Sequence, residues 1–538
     1  MAVLIVIAGV VAVVLGGRTA SPTTAQGPPH FADETTTAGV SFTYDGPFRF
    51  ATGGGVAAFD CNGDGRAELY LAGGEGRAAL FQNESPNGGA LAFKAIADAA
   101  TDLTGVTGAY PLDIDGDGTV DLAVLRSGEN VLLRGLGDCR FERANEAWSF
   151  DGGEELTTAF SATWEDSAAL PTLAIGNYLK LDSTGDTTFD CADNRFYRPA
   201  DGGTAYASPL ALSPGYCSLS MLFSDWDRSG RRDLRVSNDR QYYVNGEEQL
   251  WRVDPGTSPR LYDDADGWVA MQIWGMGIAS YDLTDDGYPE VYLTSQGDNK
   301  LQTLTAGPGK PTFRDIAFRR GVTATRPFTG DVNLPSTAWH PEFADVNDDG
   351  FADLFVSKGN VLEQADYAKR DPSNLFLGQP DGTFVEGADR AGILSFDRGR
   401  GAALVDLNLD GLLDLVEVNL GAPTKIWRNV GGGDASRPAA MGNWLELRVT
   451  QPSPNRDAIG AWLEVRIGDV TRRRELVVGG GHLGGQLGWV HFGLGPAQRA
   501  DVRVTWPDGQ AGPWQSVTAN QFAIVDRAAA GAPRIWQR

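Results

Sequence analysis

Histidine is scarce in this chain: four residues in 538, at His30, His340, His482 and His491. Cysteine is as rare, at Cys61, Cys139, Cys191 and Cys217, with no C-x-x-C pair and no Cys/His cluster. Nothing therefore organises a zinc site, and "WHPE" at 339–342 lacks the rest of any zinc motif. Neither a G-x-S-x-G elbow nor a phosphate-binding loop occurs. No nucleophile or paired carboxylate accompanies His482 or His491, so each reads as an ordinary imidazole, not a general base. Basic residues are in deficit, 45 against 70 acidic, for a formal charge of -25. That sign argues against nucleic acid as a partner. Helical periodicity is almost absent, which argues against helix-pair solenoids.

One apolar run stands out, Val3 to Leu15. It is short for a bilayer span and right for a signal-peptide core, with Thr23 and Ala25 as small residues at a cleavage point. No Lys or Arg precedes it. Residues 1–25 are read as a signal peptide, with an uncleaved anchor as the alternative. The mature chain then has no membrane span and is secreted, periplasmic or held at the cell surface. An even, small number of cysteines suits that oxidising destination. Of the three possible pairings, the sequence neighbours Cys61–Cys139 and Cys191–Cys217 are expected.

What the chain has in excess is one loop. "DCNGDGRAE" begins at Asp60, "DIDGDGTVD" at Asp113 and "DWDRSGRRD" at Asp225; "DLTDDGYPE" begins at Asp282, "DVNDDGFAD" at Asp345 and "DLNLDGLLD" at Asp406. The spacings are 53, 112, 57, 63 and 61 residues. The second is about twice the others, so a degenerate unit is expected near residue 166, where strand-like flanks persist without the acidic loop. Each unit shows short apolar strands on both sides of the loop, then a third strand and often a fourth opening with Phe. Seven units of four strands predict an all-β chain: a seven-bladed β-propeller over 38–432. An insert from about Asp182 to Ser218 interrupts the degenerate unit.

Carboxylates at loop positions 1, 3, 5 and 9 repel one another unless a cation lies between them. Oxygen-only donors without Cys or His suit a hard ion, and flexible oxygens suit Ca²⁺ better than Mg²⁺. Glycine at position 6 permits the sharp turn. The expected donors of the first loop are Asp60, Asn62, Asp64 and Glu68 with the Arg66 carbonyl. The second offers Asp113, Asp115, Asp117 and Asp121 with Thr119, and should bind most tightly. The loop at 225 offers Asp225, Asp227, Ser229 and Asp233 amid arginines, and should be weak or empty. Asp282, Thr284, Asp286 and Glu290 with Tyr288 form an intermediate site. The last two sets are Asp345, Asn347, Asp349 and Asp353 with Phe351, and Asp406, Asn408, Asp410 and Asp414 with Leu412. Such ions are structural, pinning each unit's first turn. A metal-free turn is the alternative for any one loop.

These loops and strands resemble the FG-GAP (or VCBS) repeats of integrin α-chain propellers and many secreted bacterial proteins. The resemblance covers roughly residues 40 to 430 and implies Ca²⁺ in the loops on one face, with partners often on the other. After a linker at 433–442 the acidic loops stop. Residues 443–528 alternate in strand fashion between Gly/Pro turns, which suggests a small β-sandwich. "NRDAIGA", "HFGLG" and "VTWPDG" resemble the ASPIC/UnbV domain, found behind a propeller in the cartilage-acidic-protein-like family. That resemblance implies a secreted calcium-binding propeller protein and no known reaction.

The function expected is an exported binding or adhesion module for an extracellular protein or glycan. A carbohydrate lyase or dehydratase, or a biosynthetic accessory enzyme, is the competing class, and a purely structural surface protein the third. Trp164, Trp226, Trp274 and Trp339 either line an axial funnel or pack the blades. Asn455 and Arg456 form either a polar site or a buried turn.

Overall fold

The computed structural model describes residues 24–537 apart from 167, 201–202, 240–245, 324–333 and 530. All but the end of the expected signal peptide lies outside the described residues. Helix is confined, among them, to the single turns Ala317–Arg320, Ala388–Ala391 and Phe48–Phe50. None is long and apolar enough to cross a membrane.

The strands are short because Gly- and Asp-rich turns interrupt them; the inner and second strands of each sheet are buried on both faces, while outer ones such as Phe141–Arg143 and Phe313–Asp315 are partly exposed. In Asp121–Arg126, Leu122 and Val124 pack into the core shared with the first sheet. Ala123 and Leu125, pointing the other way, pack with Phe160, Leu173 and Ile175 of the third. A strand buried on both faces loses the polar alternation of a half-exposed one.

Among the described residues seven sheets follow one another, each of four antiparallel strands; the first gains a fifth, parallel strand from the C-terminal module. Their inner strands are Val56–Phe59, Val106–Leu112, Thr157–Thr163, Ser218–Ser224, Gly275–Tyr281, Ala338–Ala344 and Gly399–Val405. Each inner strand touches the next, and the seventh touches the first, so the sheets form a closed circle. The third sheet stands where the repeat lacks its acidic pattern: Thr157–Thr163 pairs with Thr172–Asn177 across a connection, 164–171, as long as the acidic loops of the other sheets. The seventh is completed by the N-terminal strand Phe31–Asp33, which pairs with Lys425–Asn429. The ring therefore reaches back ahead of residue 38.

Both expected disulfides are present. Cys61–Cys139 ties the first sheet's loop to the second sheet's outer turn. Cys191–Cys217 tethers a two-stranded hairpin, Leu179–Leu181 with Thr187–Cys191, that accounts for much of the expected insert. Its Leu179 packs with Leu156, Leu219, Met276 and Trp339, which belong to or flank the inner strands of four successive sheets.

The C-terminal module is two four-stranded sheets face to face. Val490–Gly495, Asn443–Thr450, Gln521–Asp526 and Arg534–Ile535 make one; Val470–Glu475, Trp462–Ile467, Arg499–Thr505 and Gln515–Thr518 make the other. Leu445, Leu447, Leu463, Val465 and Phe492 fill the space between them. The outer strand Arg534–Ile535 carries the module beyond residue 528.

Candidate metal loops and the module docked on them

All six loops adopt one backbone. Their position-6 glycines, Gly65, Gly118, Gly230, Gly287, Gly350 and Gly411, have φ between 86° and 94°, where a side chain is strained. Each donates its N–H to the position-1 carboxylate of Asp60, Asp113, Asp225, Asp282, Asp345 or Asp406 at 2.7–3.1 Å. The position-9 carboxylate accepts the N–H of position 2 in five loops. Glu68, Asp121, Glu290, Asp353 and Asp414 do so at 2.7–3.0 Å. In Asp121, Asp353 and Asp414 the second oxygen accepts an N–H of the third strand, from Gly135, Gly378 and Asn429. Position 9 thus staples its own loop to its own sheet.

Burying so many carboxylates is costly without a counter-charge. Burial first, and neighbouring carboxylates after it, push Asp113 up to about 7 and Asp121 and Glu68 up to about 8. The same causes hold Asp345, Asp353, Asp406 and Asp414 well above the carboxylate range. One oxygen of Asp113 and one of Asp282 are buried with no hydrogen-bond partner. Oxygens of Asp113, Asp115 and Asp117 all lie within 4.8 Å of one another. In the loop at 113 an orphaned oxygen lies among three carboxylates, two of which Arg134 also approaches at 2.8 and 3.3 Å; the oxygen-only donor set of that loop fits Ca²⁺.

The loop at 225 does not fit it. Arg231, at position 7, grips Asp233 with Nε and Nη2 at 2.8 and 3.1 Å. Trp226 Nε1, the Tyr262 hydroxyl and the Val253 N–H donate to the same carboxylate. Five donors leave Asp233 no lone pair for an ion. Above it, Glu475 of the C-terminal module accepts from the Asp225 N–H and the Ser224 hydroxyl.

That module covers the loop face. Arg472 pairs with Asp285 at 2.5 Å and donates to the Gly350 carbonyl, while Arg473 reaches Asp282 at 3.1 Å. His491 lies between Glu446 of its own module and Asp348 of the propeller, at 2.8 and 2.9 Å, all three buried. These carboxylates hold His491 well above its usual range against the opposing effect of burial.

The segment Val478–Leu487 goes further and enters the propeller axis. Gly485–Leu487 pairs in parallel with Ala57–Phe59, and bridges join Val478, Gly479, Gly481 and Gly484 to Ala162, Leu222, Ile278 and Ala109. His482 donates its N–H to His340 Nδ1 and sets its Nε2 2.8 Å from the Thr52 carbonyl. Burial, with Arg400 nearby, pushes His482 down to about 3, so the imidazole is neutral. Glycine is required here by closeness: a Cβ on Gly484 would lie 2.1 Å from the Val56 oxygen. With the tethered hairpin at the opposite mouth, the four tryptophans pack rather than line an axial funnel among the described residues; Trp274 lies against the cluster of Leu179, Met276 and Trp339. Trp164 and Trp226 pack between sheets. Trp339 is fully buried, under Arg400 on one side and His482 on another. Asn455 makes a turn, exchanging two hydrogen bonds with Ile459.

Residues 451–532 match the family model for ASPIC and UnbV, and residues 60–124, which span the first two loops, match that for an FG-GAP-like repeat. Cartilage acidic protein 1 of Homo sapiens is 27% identical over 252 residues, 44% of this chain and 33% of that protein. The Mus musculus protein is likewise 27% identical, over 34% of its length. The chain thus aligns with about a third of the curated relatives it matches. Among solved structures, BBS1N in complex with ARL6DN is similar at a TM-score of 0.41 and 11% identity, covering 74% of this chain and 96% of that one. Saccharomyces cerevisiae Sqt1 is similar at 0.41 and 11%, covering 76% and 100%. The chain therefore combines an FG-GAP-like repeat propeller with an ASPIC/UnbV domain and is related, at modest identity, to cartilage acidic protein 1.

Proposed function

We propose that this protein is an exported, calcium-stabilised binding module for an extracellular protein or glycan. Ca²⁺ would be held by the loops at 60, 113, 282, 345 and 406, through the donors named for each. Its chemistry is to neutralise buried carboxylates and fix the turns that carry the inner strands. The supporting observation is the orphaned Asp113 oxygen within the Asp113, Asp115 and Asp117 cluster. Two disulfides support an oxidising destination.

Binding, not catalysis, is the better-supported reading because the histidines nearest the axis are consumed in packing. His482 and His340 hydrogen-bond to each other and to the propeller backbone or Glu342. The test presents the full chain, with calcium and with chelator, to a panel of polysaccharides and surface extracts. Retention of an unchanged ligand that is lost in chelator supports the reading. Release of a chemically altered ligand overturns it in favour of an enzyme.

A further inference from the structure

The sixth sheet holds a lysine where lysines are seldom found. Lys358 ends the strand Asp353–Lys358, and its side chain is fully buried. No other lysine is buried among the described residues. The next strand, Asn374–Gly378, sets Asn374 opposite Val356. Lys358, two residues beyond Val356, is therefore a diagonal neighbour of Asn374 on the same face.

Two groups meet its ammonium. Lys358 Nζ lies 2.9 Å from Asp371 Oδ1, and it donates to Asn374 Oδ1 at 3.0 Å. Asp371 is as buried as the lysine and is held in place by the Ser336 hydroxyl and the Thr337 N–H. The Asn374 amide nitrogen points the other way and donates to Glu386, on the third strand, at 3.3 Å. Burial pulls Lys358 down against the attraction of Asp371, and burial pushes Asp371 up. Both shifts favour passing a proton from the amine to the carboxylate. An amine, an amide carbon one bond from its contact atom and a proton acceptor are thus enclosed together, away from competing water.

We propose that Lys358 Nζ and Asn374 Cγ join in an intramolecular isopeptide bond, with Asp371 as the proton acceptor. Asp371 takes one ammonium proton, and the freed Nζ lone pair attacks Cγ as the carbonyl electron pair moves to Oδ1. When that pair returns, the Cγ–Nδ2 bond breaks. Nδ2 takes a second proton from Nζ and leaves as ammonia past Glu386, which is only partly buried. Nζ keeps one hydrogen as an amide N–H, and nothing is oxidised or reduced. The product removes a buried ammonium, which is costly to keep in an interior. Asn374 is the acceptor because an ionised Asp371 resists attack by a nucleophile. The bond would join the second and third strands of the sixth sheet and, unlike the two disulfides, would survive reductant. It does not depend on calcium or on the binding-module reading.

The test is mass spectrometry of the reduced full-length protein, intact and after trypsin. The expected result is a loss of about 17 Da, one ammonia. Trypsin should fail to cut after Lys358, and the peptide carrying it should run joined to residues 371–390, which hold Asn374. Lys358→Met should restore the full mass and separate the peptides. Asp371→Asn should leave most chains unlinked, since a positioned base contributes on the order of 10²–10⁴ in rate. Melting temperatures are measured alongside, and the reading on the unaltered chain does not depend on how either variant folds. Separate peptides of full mass would overturn the proposal, as would ammonia loss from Asn374 with Lys358 still cleaved. A joined peptide lighter by about 18 Da, one water, would move the bond to Asp371 and overturn the assignment to Asn374.

Discussion

The loops at 113 and 225 share one template and one backbone turn, yet their carboxylates have opposite fates. In the second unit Asp121 accepts only backbone N–H groups, from Ile114 and Gly135, and Asp113 keeps an oxygen unpartnered. In the fourth, an arginine within the loop occupies the position-9 carboxylate, with Trp226 and Tyr262 completing its donors. The spacing of acids sets the turn. Whether the turn needs an ion depends on what else reaches the carboxylates.

The largest effect expected is from calcium removal. Chelation should lower the melting temperature sharply, and the metal content of replete protein should be five ions per chain, not six. An unchanged melt in chelator would sink the calcium reading; six ions would break the contrast between the two loops.

Next come paired substitutions. Asp121→Ala orphans two buried N–H groups and should cost roughly 2–5 kcal/mol, more in calcium than in chelator. Asp233→Ala strands Arg231 and should cost about 3–5 kcal/mol, equally in both. Denaturant unfolding of the two variants in both conditions distinguishes these cases, and equal calcium sensitivity would refute the contrast.

A smaller effect lies in pH. Glu68, Asp113 and Asp121 have folded pKa values raised to about 8, 7 and 8 when no ion is present. A raised carboxylate contributes stability that is fully present below its unfolded pKa of about 4 and is lost as pH rises through the folded value. In chelator the melting temperature should therefore fall between pH 5 and pH 8. With calcium, which favours the ionised form, that slope should flatten; identical slopes would count against ions in these loops.

The smallest concerns the fifth unit, where Arg473 leans on Asp282 but leaves its other oxygen free. Arg473→Gln should tighten calcium there by about 0.5–1 kcal/mol, the size of a partly exposed pair. Titration calorimetry would show one site shifting, and no shift would place Arg473 outside the ion's reach.

Much of this architecture could be read along the chain. The doubled spacing between Asp113 and Asp225 announced a sheet without its acidic pattern, and Thr157–Thr163 with Thr172–Asn177 is that sheet. The cysteine neighbours paired as expected. The arginines of "DWDRSGRRD" marked the loop whose position-9 carboxylate is held by an arginine of its own. The glycine run at 479–485 gave no comparable signal, because its partners are inner strands scattered from Ala57 to Ile278. His491 likewise showed as a lone strand residue, since Asp348 is 143 positions away.

By itself the sequence determined the turns, the strands between them and the number of repeating units, because φ-permissive glycines, period-two apolar residues and fixed loop spacing act over a few residues. Only the tertiary structure decided that the C-terminal module docks on the acidic face, threads the axis and leaves a cleft beside the unit whose connection lacks the acidic pattern. Those outcomes depend on which buried charges and backbones meet across hundreds of residues, and no local pattern encodes that meeting.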